Sequence, residues 1–308
     1  MSQIATTPRA PIVVLGMHRS GTSALARSLR ELGGWLGSER NITPRCEHAL
    51  AQECNQSILN RLGGHWSAPV PMPAGWTSLP ELAPIDADAR AAVADLEQRA
   101  PAVWKDPRTC HTLAYWRERF QLPPVAIVSY RHPLEVAASL DRRNHFGPGH
   151  VLALWESYNR ALLASAAGLR CIVVAYADLA TEPVATLTAV CDALAGYGYG
   201  FDRTPEQGAA TVDADRRHHV FVDLPDDVAT PQQRALWDAL RALPAVSECF
   251  APPALPAPHP AAAELLAARA ATIRGERELA AAQATLRSRR ALVGRLAQRL
   301  VRPSAEGS

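Results

Sequence analysis

The sequence lacks any long apolar run, and its patterning therefore excludes a membrane-spanning helix. Its apolar runs, such as Pro11–Leu15 and Cys171–Ala175, are far shorter than the roughly 20 residues that a transmembrane helix needs. The first ten residues also lack the basic start and the apolar stretch of a secretory signal peptide. We therefore expect a cytoplasmic protein without a transmembrane segment.

The sequence also has no C-x-x-C pair and very little lysine. None of the six cysteines forms a C-x-x-C pair, so their spacing argues against a zinc site or a disulfide framework, and we expect no metal. Lys105 is the only lysine, so almost all positive charge is carried by arginine. Residues 261–308 contain nine Arg and four Glu, a net charge of +5 that leaves −3 for residues 1–260. A slightly acidic body argues against nucleic-acid binding but allows one local anion pocket.

Short buried strands alternate with helical patterns along most of the chain. Pro11–Leu15, Val125–Tyr130 and Cys171–Tyr176 are apolar runs of strand length, and amphipathic segments separate them. Such alternation predicts an α/β fold in which helices cover both faces of a central parallel sheet. Thr43–Pro44 resembles a helix start, so we expect a helix from there to Leu62.

A different pattern begins after the proline-rich residues 251–260, which we interpret as a linker. Apolar residues then recur every seven positions, and this predicts a helical extension over 261–302 that is amphipathic or a coiled coil. The second seam of that helix is poor, so self-association and packing on the body or on another partner both stay open. We divide the chain into a main domain over 1–250, the linker and the helix. The heptad positions are Leu265, Thr272, Leu279, Leu286, Val293 and Leu300.

The segment Val13–Ser23 carries the strongest functional signal. A buried strand enters a loop bounded by Gly16 and Gly21, and a helix leaves it, which aims backbone N–H groups and the positive end of the helix at one point. The hydroxyls of Ser20, Thr22 and Ser23 can add donors, so the pattern predicts a phosphate-binding loop. A glycine-rich turn without a ligand is the alternative.

The loop differs from the nucleoside-triphosphate version, G-x-x-x-x-G-K-[ST]. Thr22 stands where that motif has lysine, and the cation of this loop is Arg19. A kinase or NTPase depends on the lysine and on magnesium to neutralise a triphosphate. A P-loop nucleotide kinase or NTPase is therefore the weaker interpretation.

A second anion site is predicted at Arg131, which leaves the end of a buried strand, with Ser139 eight residues later in the next helix. A guanidinium fork and a nearby hydroxyl can clamp a phosphate. Two phosphate sites on one sheet suit a nucleotide with phosphates at both ends of its ribose.

Together these motifs resemble the sulfotransferases that use 3′-phosphoadenosine 5′-phosphosulfate (PAPS), particularly bacterial members with an R-S-G-T-S core. The resemblance covers about residues 10–220 and implies a three-layer, P-loop-like sandwich. It implies that PAPS is the co-substrate, that Arg19 contacts the 5′-phosphate, and that Arg131 and Ser139 hold the 3′-phosphate. It also implies an acceptor hydroxyl on a carbohydrate or glycolipid. The PAPS-binding set is then Gly16, His18, Arg19, Ser20, Gly21, Thr22, Ser23, Arg131, Ser139 and Arg217.

The resemblance also places catalytic candidates. Glu47 occupies the position of a family glutamate and, on a helix starting at Thr43–Pro44, would share an apolar stripe with Leu50, Cys54 and Ile58, as suits a general base. The alternative is that Glu47 only complements the dipole at the start of the helix. His48 is the rival base. Lys105 could stabilise the sulfuryl oxygens or orient the acceptor, or could simply pair with Asp106 or another carboxylate at the surface. An inactive, sulfotransferase-like scaffold that recruits partners through its C-terminal helix is the second alternative function.

Overall fold

The computed structural model describes residues 10–213, 220–221 and 223–301, with side chains up to residue 291. Five strands and eleven α-helices follow one another along these ranges. The strands are Ile12–Leu15 (β1), Val103–Lys105 (β2), Val125–Tyr130 (β3), Cys171–Ala175 (β4) and Val246–Ser247 (β5). The helices are Thr22–Glu31 (α1), Ala49–Arg61 (α2), Asp86–Leu96 (α3), Thr109–Arg117 (α4), Pro133–Asn144 (α5), Pro148–Ala166 (α6), Tyr176–Thr181 (α7), Pro183–Gly196 (α8), Pro205–Ala209 (α9), Pro231–Arg241 (α10) and Pro260–Val301 (α11).

The strands form one sheet in the order β2-β1-β3-β4-β5. The first four strands are parallel, as predicted, with Ile12 beside Val103 on one side and beside Val125 on the other. The short β5 pairs antiparallel with β4, so the sheet is mixed at that edge. The next two strands along the chain, β2 and β3, lie on opposite sides of β1, so the strand order reverses at β1. Ligands bind at such a reversal in open α/β sheets.

The sheet is the middle of three layers. Side chains alternate along a strand, so Val13 and Leu15 of β1 face one hydrophobic core, whereas Ile12 and Val14 face another. The first core is covered by α2 to α6, α10 and the start of α11, and the second by α1, α7, α8 and α9. The predicted α/β sandwich with a C-terminal helix is thus confirmed.

Helix α2 begins later than predicted. The Thr43–Pro44 pair does not start it; instead the chain turns there, with Cys46 in the left-handed region at φ 58° and with Ile42 bridged to His48. The helix starts at Ala49. The expectation that Glu47 shares a helical stripe with Leu50, Cys54 and Ile58 is therefore wrong, because Glu47 lies in the extended segment before the helix.

Helix α11 combines a packed start with an exposed continuation. Leu266 and Ala270 are buried in the core of the body, whereas Leu279 and Leu286 are 60% and 57% exposed. Self-association through this helix stays a prediction. No helix within the described residues is both long and apolar enough to cross a membrane.

Candidate nucleotide and transfer site

The carboxyl ends of the four parallel strands meet at one edge of the sheet, and the predicted functional residues come together there. Each strand delivers a different group: β1 leads into the glycine-bounded loop, β2 ends at Lys105, β3 is followed by Arg131, and β4 by Tyr176. Parallel pairing brings segments that are far apart in sequence to a common edge, which explains why four separate segments can build one site.

The loop between β1 and α1 requires glycine at both ends. Gly21 precedes α1 with φ +85°, and a Cβ there would collide with the ring of Tyr176. A Cβ on Gly16 would collide with the backbone oxygen of Ser129. Ser129 also donates from Oγ to the carbonyl of Ser20 over 2.7 Å, which ties the loop to β3. The loop therefore lies close against β3 and the start of α7.

Arg19 and Arg131 belong to the same site. Arg19 sits in the left-handed region at φ 71° and donates from Nε to Ser139 Oγ over 2.7 Å. Arg131 donates from Nη1 to the Arg19 carbonyl over 3.1 Å, and its guanidinium carbon lies 4.2 Å from the ring centroid of Tyr176. Glu135 fixes Arg131 further by accepting from its Nε over 2.7 Å. The first and second anion motifs are thus joined by direct hydrogen bonds.

Glu47 and Lys105 form a buried ion pair at the same edge. Glu47 Oε1 accepts from Lys105 Nζ over 2.7 Å, and its Oε2 accepts from Gln52 over 2.6 Å. Lys105 also donates to Ser23 Oγ and to the Arg45 carbonyl, so its three protons all have acceptors. Lys105 thus pairs with a carboxylate, but the expected surface location is wrong, because Lys105 is only 4% exposed. Its partner is the buried Glu47, whereas Asp106 binds Arg108.

His48 points to a different place from Glu47, although it is the next residue. Its Nε2 lies 3.0 Å from Asp95 Oδ2, and the ring is buried beside Gly37. Asp95 also accepts from Ser38 and Asn41, so this carboxylate organises the chain before α2. His48 is therefore placed to support that segment, and it does not line the cavity described next.

The glycine-bounded loop, Arg131 and the Glu47–Lys105 pair border a cavity of about 340 Å³. Among the described residues, seven arginine or lysine side chains line it against two carboxylates, Glu47 and Asp213, so this lining is strongly electropositive. Burial, followed by the neighbouring Arg143 and Arg131, lowers the pKa of the Arg19 guanidinium. Crowded cations of this kind favour an anionic ligand. The seven cations are Arg19, Arg27, Arg45, Lys105, Arg108, Arg131 and Arg143.

Aromatic rings form one wall of the cavity. The ring of His18 lies 4.8 Å from that of Trp66 and 5.4 Å from that of Tyr158, measured between centroids. Burial, with help from Arg108 and Lys105, holds the pKa of His18 well below its usual value. The imidazole is therefore neutral near pH 7, and this wall is uncharged.

The other predicted PAPS-binding residues divide by position. Gly21, Thr22 and Ser23 line the cavity, whereas Gly16 and Ser20 are buried behind it and shape the loop. Ser139 is also buried, at 5% exposure, and holds Arg19 from behind. Arg217 lies outside the described residues, so its predicted role stays a prediction.

Sequence reasoning missed several lining residues. Arg143 was detectable, because it follows Ser139 by four residues and so lies on the same face of α5. Arg45 and Tyr176 gave no such signal, since each reaches the cavity only through the tertiary fold.

The fold and the site together define the class of protein: an α/β protein with a phosphate loop and a cationic cavity at the carboxyl edge of its sheet. A model of the sulfotransferase family matches residues 11–197, which is more than half of the chain. The protein therefore belongs to the sulfotransferase family.

Two solved structures are similar to this chain. One is the sulfotransferase domain of the olefin synthase of Synechococcus PCC 7002, at 20% identity and a TM-score of 0.42, covering 88% of this chain and 98% of that one. The other is the sulfotransferase domain from the curacin biosynthetic pathway, at 18% identity and a TM-score of 0.42, covering 85% and 98%. Comparison with curated proteins finds no match.

Proposed function

We propose that this protein transfers the sulfuryl group of PAPS to an acceptor hydroxyl and releases 3′,5′-ADP. One observation carries the proposal: Arg19 of the phosphate loop binds Ser139 of the second anion motif, and Arg131 of that motif binds the Arg19 carbonyl. Two anion-binding elements in direct contact suit a nucleotide phosphorylated at both the 5′ and the 3′ position.

The lining chemistry is compatible with PAPS. The amides of Gly21, Thr22 and Ser23 at the start of α1, with Arg19, would hold the 5′-phosphosulfate end. Arg131 would hold the 3′-phosphate, with the buried Ser139 supporting that site by orienting Arg19. Glu135 keeps the Arg131 fork oriented, so little side-chain entropy is lost when that arginine binds an anion.

The proposed reaction is an in-line displacement at sulfur. Glu47 accepts the proton of the acceptor hydroxyl, the oxygen forms a bond to sulfur, and the bond from sulfur to the bridging oxygen of the donor breaks. The electron pair stays on the 5′-phosphate of 3′,5′-ADP, where Arg19 and the loop amides stabilise the added charge. Lys105 Nζ donates to both Glu47 Oε1 and Ser23 Oγ, so it positions the Glu47 side chain beside the phosphate loop.

For the acceptor, we propose a carbohydrate or glycolipid hydroxyl, as the resemblance to bacterial sulfotransferases implies. The partly buried ring of Trp66 lines the cavity and is a surface on which a sugar can stack. The neutral His18 beside it adds polar atoms to the same wall.

The direct test is transfer from PAPS labelled in its sulfur to the components of a cell extract, followed by identification of the labelled product. A labelled hydroxyl compound that forms only with active protein supports the proposal. Nucleotide binding without transfer to any acceptor pool would instead favour an inactive scaffold.

A thermal-shift comparison tests the nucleotide separately. 3′,5′-ADP should raise the melting temperature more than 5′-ADP at equal concentration, because only the former occupies both anion sites. Magnesium-dependent stabilisation by ATP, with no response to 3′,5′-ADP, would favour a kinase or NTPase.

A further inference from the structure

The cationic cavity continues beyond the two anion motifs, towards its aromatic wall. Arg131 precedes α5, Ser139 lies within that helix, and Arg143 follows one turn later and lines the cavity. At about 1.5 Å per residue, Arg143 lies roughly 6 Å beyond Ser139 along the helix axis, on the side away from Arg131. Phe146 comes just after the helix, and its ring centroid is 5.9 Å from that of Trp66. Arg143 therefore lies between the anion motifs and the aromatic wall.

Arg45 reaches the same part of the cavity from the turn before α2. Its carbonyl accepts from Lys105 Nζ over 3.1 Å, and the same ammonium group donates to Glu47, the proposed base. Burial lowers the pKa of His18 most, and the charges of both Arg45 and Arg143 contribute, so both arginines lie near this ring of the aromatic wall. Each is exposed although it lines the cavity, so we call Arg45 and Arg143 the mouth arginines.

The mouth arginines have no partner in the protein. Within the described part of the chain, neither guanidinium forms an ion pair or a hydrogen bond. The neighbouring cations are paired, because Arg108 binds Asp106 over 3.0 Å and Lys105 binds Glu47 over 2.7 Å. Both oxygens of Glu47 are also occupied, one by Lys105 and the other by Gln52. Two unpaired guanidinium groups beside the base make this part of the cavity attractive to an anion.

The dipole of α5 does not by itself account for Arg143. Arg142 and Arg143 both lie in the last turn of the helix, where a cation is favourable, but only Arg143 lines the cavity. Burial, followed by the charge of Arg45, lowers the pKa of the Arg143 guanidinium. Holding like charges together costs free energy, which an anion bound between them would offset.

This arrangement bears on the acceptor, and the inference rests on the proposed transfer. An acceptor hydroxyl that reaches Glu47 brings its neighbouring groups to the mouth arginines. Guanidinium groups bind carboxylates and phosphates through paired N–H donors. We propose that the acceptor is itself anionic, with a carboxylate or a phosphate monoester that binds Arg45 and Arg143 while its hydroxyl lies at Glu47. A neutral acceptor would leave both arginines unpaired.

The charge of the labelled product tests this inference. PAPS labelled in its sulfur is incubated at low conversion with a deproteinised cell extract, with heat-inactivated protein as the blank, and the products are separated by anion exchange. A neutral acceptor gains only the sulfate charge, whereas an anionic acceptor gives a product with at least two negative charges. We expect most of the label in multiply charged products.

The possible outcomes separate the inference from the function on which it rests. Label mainly in singly charged products would overturn the anionic acceptor and leave sulfuryl transfer intact. No labelled product at all would overturn the transfer, and the inference with it. Phosphatase treatment of a multiply charged product distinguishes the two anions, because it removes charge from a phosphate monoester and not from a carboxylate.

Neighbouring arginines of α5 provide a matched pair of variants. Both Arg142 and Arg143 are exposed, but only Arg143 lines the cavity. At limiting extract, Arg143→Gln should reduce the label in multiply charged products at least about tenfold, as expected for the loss of a charged hydrogen-bond donor. Arg45→Gln should act in the same way, whereas Arg142→Gln should keep the wild-type value. Wild-type labelling in both mouth variants would overturn the inference.

Nucleotide binding shows whether the mouth arginines serve the acceptor or the donor. In titration calorimetry, 3′,5′-ADP should bind Arg45→Gln and Arg143→Gln within about threefold of the wild-type affinity, because exposed charges that do not contact the nucleotide are screened from it. Such binding also shows that the variants are folded. A larger loss of affinity would assign these arginines to the nucleotide and overturn the inference.

Discussion

Arg19 and Ser139 are 120 residues apart in sequence, yet Arg19 Nε donates to Ser139 Oγ over 2.7 Å. Arg19 belongs to the loop after β1, and Ser139 to the helix after β3, which is the strand beside β1. The hydrogen bond therefore follows from the sheet order. It also orients a guanidinium that would otherwise have several rotamers at the mouth of the cavity.

Removing the hydroxyl that holds Arg19 should weaken nucleotide binding. Ser139→Ala deletes one hydrogen bond to a charged group, typically worth about 1.5–3 kcal/mol, so affinity for 3′,5′-ADP should fall about tenfold or more. Titration calorimetry measures this directly. Ser57→Ala makes the same change on α2, outside the cavity lining, and should bind normally. Wild-type affinity in Ser139→Ala would remove Ser139 from the site.

Arg19 should matter for turnover and not for stability. Loss of a charge-stabilising donor commonly reduces kcat by about 10²–10³, so Arg19→Gly should be nearly inactive in transfer from PAPS. Because Arg19 has φ 71°, a conformation that glycine adopts freely, urea unfolding should show no loss of stability beyond about 1 kcal/mol. The exposed Arg40, changed to Ala, controls for the lost charge. Normal kcat in Arg19→Gly would rule out the assigned role.

The loop around Arg19 was predictable because its signals are local. A buried strand, two glycines and a helix start follow one another within a dozen residues, and Val125–Tyr130 matches β3 residue for residue. Arg131 was also found locally, as the residue that follows a strand. For the same reason, the alternation of strands and helices predicted the layers of the fold, and the seven-residue repeat predicted the first part of α11.

The surroundings of Glu47 were not predictable in this way. Thr43–Pro44 has the sequence of a helix start, but the chain there is held by the Ile42 to His48 bridge and by Asp95, which comes from α3. Tertiary hydrogen bonds thus override a local capping signal. The short β5 and α10 were missed because a two-residue strand carries no periodicity and because the proline-rich context of α10 resembles a loop.

The pair of Glu47 and Lys105 should be strongly coupled in stability. Both side chains are almost completely buried, so Glu47→Gln leaves an uncompensated ammonium and should cost about 3–5 kcal/mol of unfolding free energy. Lys105→Met should cost a similar amount for the converse reason. The double variant should lose much less than the sum, as measured by urea unfolding in a double-mutant cycle. Additive costs would mean that the two groups do not interact.

The Glu47 and Lys105 variants also test whether Glu47 is the general base and Lys105 the residue that positions it. Glu47→Gln should still bind 3′,5′-ADP but lose transfer from PAPS, since an amide cannot accept the acceptor's proton. The double variant with Lys105→Met provides a better-folded background for that measurement. Unchanged kcat in either protein would eliminate Glu47 as the general base.

Acid should destabilise the protein through histidines that are neutral in the fold. Burial lowers the pKa of His111 to about 4, against a usual 6.5, so between these values the unfolded chain binds a proton that the folded protein does not. This contribution is fully present above pH 6.5 and is lost as the pH falls towards 4. Each such histidine adds a slope of about 1.4 kcal/mol per pH unit.

Urea unfolding at pH 7, 6 and 5 measures that slope. His111→Asn removes the titrating group, so its stability should fall with acid less steeply than that of the wild type, by about one proton. His145→Asn makes the same substitution at an exposed histidine that already occupies the left-handed region, which asparagine tolerates, and is the matched comparison. If His111→Asn keeps the wild-type slope, His111 takes up its proton equally well in the folded and unfolded states. Acid sensitivity must then come from other groups. His18 is the next to replace, because burial also lowers its pKa.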